Sequence, residues 1–164
     1  MKIAIISDIH DNLENLKVAL DWINKNKIEH LICCGDVTNN ETLKFLASNF
    51  LKDIYLVKGN CVLFDEKEIR NFKNIKYFGK IGRFELGGKS IGICHEPFFR
   101  DAVLNLGKCD LIFYGHTHKP WEEEYQGVRS INPGTLGGVF LKGTFAVWDV
   151  ESGEMELKVL NKIF

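Results

Sequence analysis

The chain has 164 residues, of which 45% are hydrophobic, and its formal net charge at pH 7 is −1. This length is enough for one domain with a substantial core, and we expect a single domain over residues 1–164. The charge, without a long basic run, argues against a dedicated nucleic-acid-binding protein. The apolar run at residues 3–6 is too short for a signal peptide or a membrane span, so we expect a cytoplasmic protein without a membrane partner.

The first half of the chain alternates between strand and helix patterns. Apolar, β-branched runs predict three strands, at residues 2–6, 30–34 and 54–57. Apolar residues at helical spacing predict two helices, at residues 13–25 and 42–50. Asp11 and Asn12 are candidate caps of the first helix. This alternation is typical of parallel βαβ units with right-handed crossovers.

The second half contains hairpin patterns instead. Three glycine-containing turns separate pairs of predicted strands, at residues 87–88, 126–127 and 152–153. The paired strands are residues 83–86 and 90–95, two strands within 122–131, and residues 144–150 and 154–160. A short helix at 101–106 and a buried strand at 110–114 lie between the first two hairpins. Together the two halves predict an α/β protein with two mixed sheets packed face to face and helices outside.

The cysteines and large aromatic residues have mainly structural interpretations. The five cysteines are Cys33, Cys34, Cys61, Cys94 and Cys109. They show no Cys-x-x-Cys spacing, so we expect free thiols that pack as small hydrophobic groups in a reducing compartment, with Cys61 as the exception. Core packing or a subunit contact is favoured over base stacking for the aromatic residues Trp22, Trp121, Trp148 and Phe98-Phe99.

Polar side chains follow five of the predicted strands. In chain order they are Asp8 and His10, Asp36, Asn60, His95, and His116 and His118. Singly, each has a simpler explanation, such as a surface acid, an Asx turn, a left-handed asparagine or a core histidine. In open α/β sheets, however, ligands bind at the carboxyl ends of the strands. The joint pattern therefore predicts a metal site at this edge.

The residue types indicate which metals such a site would bind. Two carboxylates, one amide oxygen and four imidazoles suit manganese, zinc, iron, cobalt or nickel. Seven ligands exceed one tetrahedral shell, but they fill most of two shells if one carboxylate bridges. Two ions about 3.5–4 Å apart form a clamp for in-line displacement at phosphorus, and a bridging water becomes hydroxide near neutral pH. We therefore expect attack of this hydroxide on a phosphoester.

These segments resemble the signature of the calcineurin-like metallophosphoesterase superfamily. They are Asp8-Ile9-His10, Gly35-Asp36, Gly59-Asn60, His95 and Gly115-His116-Thr117-His118, and they match in order and approximate spacing from residue 3 to about residue 138. With Gly59-Asn60-Cys61 and the segment from Ile131 to Thr135, the chain is most similar to the small prokaryotic phosphodiesterases of the YfcE type.

The resemblance implies an αββα sandwich of two mixed sheets flanked by helices, in a single metallophosphoesterase domain. It implies two divalent ions, with manganese favoured and nickel, zinc, iron or cobalt as alternatives. One ion would be held by Asp8, His10, Asp36 and His118. The other would be held by Asp36, Asn60, His95 and His116, with Asp36 as the bridge.

The chain departs from the family pattern at two places. Many members have histidine and an acidic residue after Gly-Asn, where the histidine contacts phosphate and can protonate the leaving group. Here the residues are Cys61 and Val62, and the nearest acid downstream is Asp65. Cys61 is therefore a phosphate-proximal catalytic candidate, and the identity of any general acid stays open. The other departure is His95-Glu96-Pro97, where relatives often have histidine-glycine-histidine.

Three functions fit the resemblance. A metal-dependent phosphodiesterase acting on a small phosphoester is favoured, because all seven ligand positions carry coordinating side chains. The alternatives are a phosphomonoesterase with the same chemistry and a non-catalytic protein-binding scaffold, as in a trafficking-coat subunit of this fold. Arg83, Arg100 and Arg129 are candidate contacts to an anionic substrate, whereas His30 is interpreted as structural. The sequence is compatible with a monomer and with a homo-oligomer.

Overall fold

Two β-sheets pack face to face in the computed structural model, which describes residues 1–163. The elements in chain order are β1 (Lys2–Ile6), α1 (Leu13–Lys25), β2 (His30–Cys33), α2 (Asn40–Asn49), β3 (Asp53–Leu56), β4 (Ile75–Tyr77), β5 (Ile81–Leu86), β6 (Lys89–Cys94), α3 (Arg100–Asn105), β7 (Leu111–Phe113), β8 (Trp121–Tyr125), β9 (Val128–Asn132), β10 (Thr144–Asp149) and β11 (Met155–Val159). Short 3₁₀ helices cover Glu66–Asn71, Pro97–Phe99 and Leu160–Lys162.

Both sheets are mixed. The first has the strand order β11-β10-β1-β2-β3-β4, in which β1 to β4 are parallel and β10 is antiparallel to both of its neighbours. The second has the order β5-β6-β7-β9-β8, with β6, β7 and β9 parallel and an antiparallel strand at each edge. This arrangement confirms the predicted α/β sandwich of two mixed sheets.

The central strand β1 is buried on both faces, which explains its continuous apolar sequence. Ile3 and Ile5 pack between the two sheets, in a cluster that includes residues of both. Ala4 and Ile6 point the other way and pack against the helices. Successive side chains alternate across a strand, so one short run can supply both layers. The two residues that follow this strand and precede Ile9, Ser7 and Asp8, are also fully buried.

The structure corrects several local predictions. Strand β4 and the 3₁₀ helix at Glu66–Asn71 were not predicted, because these short segments have no clear periodicity. Asn12 caps α1 by accepting a hydrogen bond from the Asn15 backbone N–H. Asp11 does not cap it.

Two of the large aromatic residues lie at the surface, so core packing does not apply to them and a subunit contact stays a prediction. Trp121 is 52% exposed and Phe98 is 68% exposed. Trp148 is buried and Trp22 packs edge-on against Phe145, as predicted. Among residues 1–163, none of the helices has the length and apolar character needed to cross a membrane.

Candidate metal centre

All seven predicted ligands come together at one end of the two sheets. Three of the strands that carry them, β1, β2 and β3, belong to the first sheet, and two, β6 and β7, belong to the second. Because these five strands all end at the same edge, residues that are more than 100 positions apart in the chain become neighbours. For example, His10 and His118 place their Nε2 atoms 3.0 Å apart.

The first donor group consists of Asp8, His10, Asp36 and His118. Asp8 Oδ1 lies 3.2 Å from His118 Nε2 and 3.7 Å from His10 Nε2. Asp36 Oδ2 lies 3.6 Å from His10 Nε2. The ligand atoms of Asp8, His10 and His118 all lie within 4.8 Å of one another, which is compatible with a single bound ion.

The second donor group consists of Asp36, Asn60, His95 and His116. Asn60 Oδ1 lies 2.9 Å from His95 Nε2 and 2.9 Å from His116 Nδ1. The same Asp36 oxygen that faces the first group, Oδ2, lies 3.3 Å from His95 Nε2. One carboxylate oxygen is therefore shared between the two groups.

Each carboxylate has one oxygen fixed by the backbone and one directed at imidazoles. Asp8 Oδ2 accepts a hydrogen bond from the His116 backbone N–H at 3.0 Å, and Asp36 Oδ1 accepts one from the Cys61 backbone N–H at 2.8 Å. Asp8 Oδ1 is buried and has no hydrogen-bond partner among residues 1–163. Leaving such an oxygen unpaired in the interior is costly, and a cation would satisfy it.

His95 is held in an orientation that suits a metal ligand. Its ring is fully buried, and Nδ1 lies 2.7 Å from the Cys34 carbonyl oxygen. A carbonyl only accepts, so we assign the ring proton to Nδ1, which leaves the Nε2 lone pair facing the second donor group. Hydrogen bonds of this kind commonly orient metal-binding histidines. The donor set as a whole fits divalent transition metals.

The electrostatics of the centre favour positive charge. Interaction with Asp8 and the charge of Asp36 raise the pKa of His10, against the opposing effect of burial. Burial lowers the pKa of His95, but its contact with Asp36 and the charges of both carboxylates outweigh this and raise it. Burial raises the pKa of Asp36, but the contact with His95, the Cys61 backbone hydrogen bond and the charge of His10 together outweigh it, and the net shift is downward. The centre thus attracts protons where metal cations would bind.

Backbone strain is concentrated on the ligands. Five of the seven have positive φ values, which are unfavourable for residues other than glycine: Asp8 (54°), His10 (46°), Asp36 (52°), His116 (69°) and His118 (60°). Such conformations cost about 1–3 kcal/mol each and cluster at functional sites. The strain is therefore independent support for a functional role of this edge.

Gly115 is required because two loops approach each other closely at this position. The left-handed residues here are His116 and His118, and Gly115 is not among them. A Cβ atom on Gly115 would lie 1.9 Å from Ser7 Oγ and 2.7 Å from Asp8 Oδ2. The glycine therefore allows the loop after β7 to approach the loop after β1.

The loop that follows β9 supports the centre, a role that the sequence did not indicate. Asn132 is buried, and its Nδ2 donates to the Gly115 carbonyl at 2.7 Å and to Thr117 Oγ1 at 3.0 Å. The Thr135 hydroxyl donates to the Asp8 carbonyl oxygen at 3.0 Å. These two side chains link the ligand-bearing loops of the two sheets. The resemblance included this segment, but nothing in the sequence alone assigned it a role.

Cys61 lies beside the centre and differs from the other cysteines. It is exposed, whereas the remaining four are buried free thiols, as predicted. Its Sγ lies 3.6 Å from Asn60 Nδ2. Burial and the charge of Asp36 raise the pKa of its thiol, which weakens it further as a proton donor at neutral pH. Asp65 caps the following 3₁₀ helix by accepting from the Lys67 backbone N–H.

The three candidate substrate-binding arginines are engaged elsewhere. Their hydrogen-bonded ion pairs are Arg83 with Glu85, Arg100 with Glu123, and Arg129 with Glu122, all involving residues of the second sheet or of α3. His30 lies at the start of β2, at the opposite end from the ligands, with Nδ1 3.6 Å from Asp53 Oδ2. His30 therefore has a structural position, as predicted.

Comparison with known proteins identifies the family. A family model described as the calcineurin-like phosphoesterase superfamily domain matches residues 1–153. Phosphodiesterase MJ0936 of Methanocaldococcus jannaschii is 31% identical over 170 residues, covering 98% of this chain and 100% of the relative. Phosphodiesterase YfcE of Escherichia coli strain K12 is 24% identical, covering 83% of this chain and 79% of the relative.

Solved structures agree with this relationship. One described as a novel archaeal phosphodiesterase superimposes with a TM-score of 0.84 at 27% identity, covering 97% of this chain and 99% of the other. Vps29 of Entamoeba histolytica, complexed with zinc, gives a TM-score of 0.70 at 18% identity, covering 96% of this chain and 97% of the other. At that identity the likeness shows the fold alone. From its sequence match and its fold, this chain belongs to the calcineurin-like phosphoesterase superfamily.

Proposed function

We propose that this protein is a phosphodiesterase that hydrolyses a small phosphodiester with the help of two divalent metal ions. The observation that carries the proposal is the shared carboxylate of Asp36. Its Oδ2 lies 3.6 Å from His10 Nε2 in the first donor group and 3.3 Å from His95 Nε2 in the second. The first group would hold one ion and the second group the other, with Asp36 as the bridge. Manganese is the favoured metal, with nickel, zinc, iron and cobalt as alternatives.

Two bound ions would polarise phosphoryl oxygens and lower the pKa of a water molecule, which makes a nucleophile available near neutral pH. The chain's own residues fix where this happens. The backbone N–H groups of His116 and Cys61 orient the two carboxylates, and the Cys34 carbonyl orients His95. These contacts come from backbone groups, and they hold the three ligands in fixed orientations toward the centre.

A diester is favoured over a monoester because of the charge at the site. A monoester dianion brings one more negative charge than a diester and would gain more from a nearby arginine. Arg83, Arg100 and Arg129 are all committed to carboxylates elsewhere. The names of the relatives, which are phosphodiesterases, point the same way. The scaffold alternative is disfavoured because a protein that only binds partners has no need for seven coordinating side chains at one edge, six of them strained or buried.

We also propose that residues 1–164 form one metallophosphoesterase domain, since both sheets contribute ligands to the same centre. We further propose a cytoplasmic location. The four buried free thiols support it, because such thiols are typical of a reducing compartment.

The test is turnover of matched esters by metal-free protein reloaded with manganese, nickel, zinc or cobalt. The substrates are bis-para-nitrophenyl phosphate and para-nitrophenyl phosphate, which share a leaving group. We expect metal-dependent hydrolysis of both, with the diester faster. Faster hydrolysis of the monoester would favour the phosphomonoesterase, and no hydrolysis with any metal would favour the scaffold.

Substitution of Cys61 by histidine should help poor leaving groups selectively. A histidine titrates near pH 6.5 and donates a proton well at neutral pH, whereas a thiol near 8.5 donates poorly. General-acid assistance contributes about 10²–10⁴-fold, and a histidine without an acidic partner should reach only the low end. In manganese-loaded protein, rates on a series of diesters with graded leaving groups should then depend less steeply on leaving-group pKa.

The control for this substitution is Cys61→Ser, which removes the thiol without adding an imidazole and should leave the slope of the series unchanged. A uniform loss of rate in Cys61→His, with the metal content unchanged, would contradict the prediction. Protonation of the leaving group would then come from elsewhere, such as solvent water.

A further inference from the structure

We infer that the Cys61 sulfur is an additional metal ligand of this centre, one that binds zinc or cobalt but contributes little with manganese. The inference rests on the proposed function and extends it, because it assigns to one residue a difference in how the site binds zinc or cobalt and how it binds manganese. Cysteine occupies a position where many members of the family have histidine, so a sulfur atom replaces an imidazole beside the two donor groups.

The geometry places the sulfur among established donor atoms. One ligand atom each from His10, Asp36 and Cys61 lie within 4.8 Å of one another, so a single ion can contact all three. The Cys61 backbone N–H donates to Asp36 Oδ1 at 2.8 Å. This bond fixes the start of the cysteine side chain relative to the bridging carboxylate. The sulfur therefore lies in a restricted position close to Asp36, the residue that the two donor groups share.

A second observation indicates that a cation belongs at this point. Asp8 Oδ1 is buried without a hydrogen-bond partner in the described part of the chain and lies 3.7 Å from the same His10 Nε2. An ion at His10 would thus satisfy the unpaired oxygen of Asp8, and His10 also belongs to the group of donors that contains the Cys61 sulfur. Asn60 Nδ2, 3.6 Å from the sulfur, is a weak contact that a metal can replace.

The chemistry of sulfur then sets the preference between metals. Thiolate is a soft ligand that favours zinc over manganese, which prefers carboxylate, carbonyl and water. When the metal–sulfur bond forms, the thiol proton passes to the solvent. With manganese the thiol keeps its proton and stays uncoordinated. The centre should therefore bind thiophilic ions more tightly than a site of oxygen and nitrogen ligands alone.

Cobalt substitution tests this directly, because a cobalt–thiolate bond gives a near-ultraviolet charge-transfer band that oxygen and nitrogen ligands do not produce. We expect the band in wild-type protein loaded with two equivalents of cobalt and its loss in Cys61→Ser. We also expect Cys61→Ser to weaken zinc binding by about 10-fold or more, since loss of an outer-shell partner alone costs about 10–100-fold. Manganese affinity should change much less.

Cys109→Ser is the matched control. Cys109 is a buried free thiol that packs with Val103 and Ile112 on the outer side of the second sheet, so the band should persist in this variant. Wild-type protein that binds two equivalents of cobalt without the band would overturn the inference, as would equal losses of zinc and manganese affinity in Cys61→Ser.

Different results would contradict the proposed function and the role of Cys61 as a metal ligand. If metal binds and diesters are hydrolysed but no sulfur band appears, only the role of Cys61 is wrong. If the protein binds a thiophilic ion through Cys61 but hydrolyses no ester, the ligand inference stands and the proposed function fails.

Discussion

Replacing Asp36 by asparagine should lower phosphodiesterase activity by about 100-fold or more, because loss of an outer-shell partner alone costs about 10–100-fold and this residue is a direct ligand. Its Oδ2 faces both donor groups, at 3.6 Å from His10 Nε2 and 3.3 Å from His95 Nε2. A neutral amide of the same shape removes the negative charge from both ion positions at once. We therefore expect weaker binding of both metals, measured by elemental analysis, together with the loss of turnover.

The fold should survive this substitution. Asp36 is only 2% exposed, but asparagine occupies nearly the same volume. Its side-chain carbonyl can still accept the hydrogen bond that Asp36 Oδ1 receives from the Cys61 backbone N–H. The midpoint of thermal unfolding of the metal-free protein should therefore change little, and this measurement separates a lost ligand from a lost structure.

His30→Ala is the matched control, since His30 is also titratable but lies at the start of β2, whereas Asp36 follows the other end of this strand. We expect its activity and metal content to remain close to those of the wild type. If Asp36→Asn and His30→Ala behave alike, the assignment of the ligands is wrong.

Gly59→Ala should lower activity about as much as Asp36→Asn does, but through packing alone. A Cβ atom on Gly59 would lie 1.8 Å from Asp36 Oδ1 and 2.6 Å from the Asp36 backbone nitrogen. Rotating the carboxylate removes only the first clash, because the second involves the backbone. The bridging carboxylate must therefore move, and both metal positions move with it. Overpacking of this kind typically costs about 1–3 kcal/mol of stability as well.

The control for this prediction is Gly127→Ala at the tip of the β8–β9 hairpin. Gly127 has a φ of +77° and nothing within 4 Å of its added Cβ, so the substitution strains the backbone without approaching the centre. It should reduce stability by about 1–2 kcal/mol and leave kcat unchanged. Wild-type turnover and metal content in Gly59→Ala would show that the carboxylate position is less restricted than the structure indicates.

Much of the fold could be predicted from local sequence patterns. The run at Lys2–Ile6 has to be a central strand because only a doubly buried strand accommodates continuous apolar residues. Asn12 caps α1 through its own side chain, an interaction within three residues that the sequence displays directly. Strand β4 escaped prediction because Ile75, Lys76 and Tyr77 form a three-residue edge strand whose pairing depends on β3.

The candidate site could likewise be predicted only in part. The seven ligands could be chosen because each follows a strand and carries a coordinating atom. The supporting residues could not, since Asn132 and Thr135 act through hydrogen bonds to segments 17 and 127 positions away. The need for glycine at Gly115 also depends on Ser7, which approaches it only in the folded protein. Side-chain chemistry is local information, whereas these close approaches arise from tertiary packing.

The most direct test of a two-metal phosphodiesterase is a titration of metal-free protein with manganese in which bound metal and diester turnover are followed together. We expect a limit close to two equivalents of manganese per chain, because the seven ligands exceed one coordination shell, with turnover absent before metal is added. A firm limit at one equivalent, with Asn60 and His95 uninvolved in binding, would contradict it.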